Sequence, residues 1–169
     1  MTLQELAQVL GVWCWGERRL FEIVGSWVPS TPEAAVKACF AEASLRHAWR
    51  AARLEELFPS AYVPPASTLV RPGPDAPMLE VLARLDDTVP RLAALYRVVV
   101  PARIAAYDRW LDAATLTERP YVRALRGVRN DQVEDWAAAV GELHRCVRTA
   151  ADAAIAAAAC ADVEAASLR

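Results

Sequence analysis

A glutamate interrupts a stripe that should be apolar throughout. Reading the start of the chain by threes and fours gives Leu3, Leu6, Leu10, Trp13, Glu17, Leu20, Val24 and Trp27. That is one face of an amphipathic helix with a carboxylate at its middle. An ionised carboxylate is costly to bury alone, so Glu17 must be paired, ligated or protonated. Other polar residues fall on stripes of the same kind. His47 lies on Val36, Phe40, Ala43, His47, Leu54 and Phe58, with Glu42 on its flank. Arg129 lies on Val122, Leu125, Arg129, Val133, Trp136 and Val140, with Asp131, Glu134 and Asp135 close by. Between Val89 and Tyr107 there is no acid, and Tyr96 is the inward polar residue.

Three chemistries fit this set. The first is a buried ion pair, Glu17 with Arg129, Arg46 or Arg50, which satisfies both charges and fixes helix register. The second is a polar pocket lined by Glu17, His47, Tyr96 and Arg129 and walled by Trp13, Trp49, Trp110 and Trp136. A carboxylate in such an apolar box has a raised pKa and can exchange protons near neutrality. The pocket predicts a small-molecule ligand or metal-independent catalysis, although tryptophans at helical spacing also serve as plain core packing. The third is iron or manganese held by Glu17, Glu42 and His47 with Asp131 or Glu134, since carboxylates suit hard divalent ions. The expected state is without cofactor, with the metal as the alternative.

The elements that must position these residues read as helices. The first covers Leu3 to Trp27. Ser30, Pro32 and Glu33 resemble a capping box opening a second helix, which runs to about Phe58. Pro59 to Pro77 holds six prolines and reads as a crossover or a lid. A short helix from Met78 is followed by a third long helix, Val89 to Ala114, which Pro101 should kink or divide after Val100. Thr117 is placed to cap a fourth helix that runs on into the alanine-rich tail. No stretch alternates as a strand would. Four such helices indicate an all-α four-helix bundle, and about 25 residues of helix span roughly 37 Å.

This layout resembles the ferritin-like superfamily. The stretches "WVPSTPE" and "LYRVVVP" are similar to wording in actinobacterial ferritin-like proteins, and the resemblance covers nearly the whole chain at the level of helix order. It implies a dinuclear metal site with a lone glutamate on the first and third helices and Glu-x-x-His on the second and fourth. Glu17 matches the first requirement and Glu42 the glutamate of the second helix. Leu45 stands where that helix needs histidine, and the third helix offers no glutamate. Neither Asp131 with Glu134 nor Glu142 with Arg145 is Glu-x-x-His. The resemblance therefore implies a degenerate metal site.

Bulk properties exclude other classes. A net charge of −2 and a pI near 5.7 give no basic nucleic-acid footprint. Cys14, Cys39, Cys146 and Cys160 have no metal-binding spacing and read as reduced thiols of a cytoplasmic protein. The start of the chain shows no secretion-signal pattern. Asp152, Asp162 and Glu164 break the alanine-rich stretch, so no membrane span is expected. The 169 residues suit one domain, and the small residues of the tail permit a homo-oligomer through helix faces.

Overall fold

The computed structural model describes residues 1–59 and 65–168. Among them every regular element is helical: α1 (Leu3–Trp27), α2 (Ala34–Glu55), the single turn α3 (Ala66–Leu69), α4 (Ala76–Ala83), α5 (Thr88–Ala94), α6 (Val100–Ala113), α7 (Arg119–Cys146) and α8 (Ala150–Ala166). A π-helical turn, Leu95–Val99, joins α5 to α6, and a 3-10 turn, Leu116–Glu118, leads into α7. No described helix is long and apolar enough to cross a membrane.

Packing follows the order α1, α2, α7, α6. The face between α6 and α1 is closed by side chains, with Tyr107 edge-on to Trp13 at 4.7 Å between ring centroids. α8 lies across α5, α4 and the π turn. The core has two parts. Leu6, Leu10, Cys14, Ala51, Leu54 and Leu125 fill one end, and Leu20, Val24, Trp27, Phe40, Leu92, Val99 and Leu143 belong to the other. Between these two clusters lie the buried polar residues Glu17 of α1, His47 and Arg50 of α2, Arg103 of α6 and Gln132 and Asp135 of α7, which is where the site lies.

Several helix ends differ from expectation. α1 begins with a capping box in which Thr2 and Glu5 serve each other's backbone N–H groups. Ser30 and Thr31 do not cap α2. Their hydroxyls donate back to the Trp27 carbonyl at 3.1 and 2.8 Å, satisfying the end of α1. Glu33 instead accepts from Thr88 at 2.7 Å. Thr115, rather than Thr117, makes the capping box before α7, with Glu118. The fourth helix does not run into the tail: it stops at Cys146, and Thr149 with Asp152 builds a new capping box for α8.

Pro101 acts earlier than expected. Val100 donates its N–H to Leu95, five residues back. The next donor in that register is residue 101, a proline with no N–H, so the Tyr96 carbonyl loses its helical partner. Trp136 supplies one from α7, its indole N–H donating to that carbonyl at 2.8 Å. The chain passes through Pro101 with a widened turn and no break.

The connector residues 60–64 lie outside the described residues. From Leu69 onward the strap lies on α1, and two glycines permit it. A Cβ on Gly11 would collide with the Leu69 backbone carbonyl, and one on Gly73 with the Val12 side chain.

Candidate functional site

Glu17 is fully buried and holds the middle of a charged layer. Its Oε1 accepts from Arg103 Nε at 3.0 Å, Arg103 Nη2 at 2.8 Å and the Tyr107 hydroxyl at 3.3 Å. Its Oε2 accepts from Arg50 Nε at 3.1 Å and lies 2.6 Å from His47 Nδ1. Each guanidinium carries the network onward. Arg50 donates to Asp131 at 2.5 Å and Asp135 at 3.4 Å on α7. Arg103 donates to Asp75 of the strap at 2.8 Å and to the Trp13 carbonyl at 3.2 Å. Five segments of chain therefore meet in one layer.

The electrostatics run opposite to an acid/base site. Burial alone would raise the Glu17 carboxyl. Arg103, Arg50 and then His47 outweigh it and hold the group well below the usual carboxylate range. Burial pushes His47 down, against the pull of Glu17, so the ring is neutral. His47 Nδ1 lies between an acceptor, Glu17 Oε2 at 2.6 Å, and a donor, Arg50 Nη2 at 2.9 Å; a proton on Nδ1 serves the carboxylate, which only accepts. Burial raises the Tyr107 hydroxyl, with Glu17 adding to it, and burial also raises Asp135. The expectation of a raised Glu17 pKa is corrected: two guanidinium groups decide the sign. His47 Nε2 and both amide atoms of buried Gln132 have no hydrogen-bond partner among the described residues.

The other expected site residues scatter. Arg129 is partly exposed and pairs with Asp108 on α6 at 2.8 and 3.2 Å, away from Glu17. Tyr96 is buried with its hydroxyl 3.9 Å from Cys39 Sγ, and burial raises that hydroxyl. Trp49 and Trp136 are 47% and 37% exposed, too open to wall an interior chamber. Trp13 packs edge-on to Tyr107 and to Trp110, whose indole N–H is buried without a partner.

The proposed metal ligands do not converge. Glu42 is exposed and bonded to Arg46 at 2.9 Å, and Glu134 is exposed. Both Glu17 oxygens already accept from cationic or neutral donors. Among the described residues no group of three His, Cys, Asp or Glu side chains is placed to hold a metal ion. The donor set does not fit the iron or manganese that the resemblance implies.

The sequence reading missed Arg103, Tyr107 and Asp75 as partners of Glu17. Arg103 and Tyr107 follow Tyr96 at seven and eleven residues, on one helical stripe, so their inward direction had a signal. Asp75 had none, since a proline-rich strap has no period.

One wall of this layer faces outward. Arg103, Tyr107 and Asp75, with Trp13, line a cleft of about 470 Å³ between α1, α4, α6 and the end of α8. Gly16 belongs to the same construction, because a Cβ there would strike the Arg103 guanidinium and lie 3.1 Å from Asp75. The chain matches no family model, no curated protein and no solved structure in these three comparisons.

Proposed function

We propose that the protein binds a small organic molecule in the cleft beside Arg103 and Tyr107. Glu17 then acts as the fixed anchor of the binding wall, with no proton transfer of its own. The observation that carries this reading is the position of Arg103. One guanidinium is held by Glu17 from behind and by Asp75 at the side, and it lines a cavity of about 470 Å³. That size is ordinary for a small-molecule site, and a guanidinium held in place by Glu17 and Asp75 is what preorganised binding needs.

The ferritin-like relationship remains a proposal. The packing order α1, α2, α7, α6, with the connector following α2, supports it. In that reading Arg50 and Arg103 supply the positive charge that metals supply in the diiron members, and the protein works without a metal.

A thermal-shift screen of small organic acids, bases and neutral compounds tests the binding function. The screen runs on the wild type and on Ala106→Trp, which fills the floor of the cleft. Compounds that raise the wild-type melting temperature and lose their effect in the folded variant support it. If every shift is equal in the two proteins, the cleft is not the site.

A further inference from the structure

We infer that the ligand is a planar apolar molecule carrying a negative charge, with its anionic group at the Arg109 end of the cleft. This rests on the cleft being a binding site and names what enters it.

Charge gives the sign. Five charged side chains line the cleft: Arg97, Arg103, Arg109, Asp75 and Glu164. Arg103 is taken up by Asp75 at 2.8 Å and by Glu17, while Asp75 keeps one buried oxygen, Oδ1, without a hydrogen-bond partner. Arg97, Arg109 and Glu164 have no ion-pair partner among the described residues, and they leave one positive charge in excess. The two arginines are not equivalent. Arg97 lies in the π turn, against which α8, the helix that carries Glu164, packs. Arg109 lies twelve residues further along, about 18 Å at 1.5 Å per residue, with no lining acid at its end of α6. Arg109 is exposed and unpaired at the rim of the cleft, where its planar guanidinium can take a carboxylate, sulfonate or phosphate in a bidentate contact.

The surface between the arginines gives the body of the ligand. Ala102 and Ala106 form a floor with no long side chains, and Val12, Met78 and Val98 add apolar walls. Trp13 and Tyr107 meet at an interplanar angle of 65°. They present rigid aromatic surface to a flat molecule.

Two fluorescent probes with the same rings separate charge from shape: anionic 8-anilinonaphthalene-1-sulfonate and neutral N-phenyl-1-naphthylamine. The anionic probe is expected to bind about tenfold more tightly, as one charge-assisted contact allows. Arg109→Gln should remove most of that advantage while leaving the neutral probe unchanged, and raised salt should weaken only the anionic probe. Ala106→Trp should abolish both. Equal binding of the two probes, indifferent to Arg109→Gln but lost in Ala106→Trp, would overturn the anion and leave the cleft as a binding site. Binding that survives Ala106→Trp, or no binding of either probe, would overturn both readings.

Discussion

Glu17 and Arg103 are joined by a two-pronged contact, Nε and Nη2 of the guanidinium both reaching the same carboxylate oxygen at 3.0 and 2.8 Å. Arg103 is almost completely buried and Glu17 wholly so. Glu17 has no water to fall back on, while Arg103 touches the cleft. Glu17→Ala removes the acid that both guanidinium groups share, leaving Arg50 with Asp131 and Asp135 and Arg103 with Asp75, and breaking a buried pair typically costs about 3–5 kcal/mol. The melting temperature should fall by roughly 10 °C or more. A loss below about 1 kcal/mol in chemical denaturation would contradict the buried geometry.

Acid should weaken the fold in two stages. His47 has a folded pKa below its ordinary 6.5. As pH falls through 6.5 the unfolded chain takes up a proton that the native ring refuses, and stability declines. Glu17 has a folded pKa well below 4.5. Its contribution is fully present above 4.5 and is lost as pH falls further toward that folded value. Asp135, raised by burial, works in the opposite direction above its ordinary value of 3.8. Urea midpoints measured from pH 7.5 to 4 should show the first decline in the wild type and not in His47→Gln. Parallel profiles in the two proteins would show that His47 is not held neutral.

The π turn makes a prediction about coupling. Trp136 donates to the carbonyl that Pro101 leaves unserved. Trp136→Phe should cost about 1 kcal/mol, a modest figure because that side chain is partly exposed. Pro101→Ala restores a backbone donor, so the same Trp136→Phe change should cost less in that background. A double-mutant cycle with no coupling between the two positions would argue that the indole bond has no energetic role.

Glycines test the strap. Gly11→Ala forces a methyl against the Leu69 backbone, which cannot step aside as a side chain can. It should destabilise by about 1–3 kcal/mol, as overpacking does. Gly127 on α7 has open space around a Cβ position. Gly127→Ala should stabilise by about 0.5–1 kcal/mol through helix propensity. Equal effects at the two sites would mean that the strap does not press on α1.

The all-helical class was legible because its signals are local and repeated. α1 was readable from Leu3 to Trp27, and Glu17 stood out against apolar neighbours. The face of α7 was misread for a physical reason. Its buried residues are Leu125, Val128, Gln132, Asp135, Ala139 and Leu143, one step around the helix from the more apolar stripe through Arg129 and Trp136. Periodicity favours the apolar stripe. The true one is polar in the middle because Asp135 serves Arg50. Arg50 follows His47 by one turn and was among the expected partners of Glu17, which it meets at 3.1 Å. Asp75 became visible only when the strap was laid on α1.

The contacts of Glu17 span large distances along the chain. His47 and Arg50 lie 30 and 33 residues away, and Arg103 and Tyr107 lie 86 and 90. No local segment can assemble this layer by itself. A chain that collapsed with α1 slipped by one turn would carry Glu17 about 5.4 Å from its partners. Its apolar residues could still find apolar neighbours, while the carboxylate would be dry and alone and Arg50 and Arg103 would each lose it as a partner. The layer works as a proofreader: greasy contacts tolerate many arrangements of these helices, and the charges accept one.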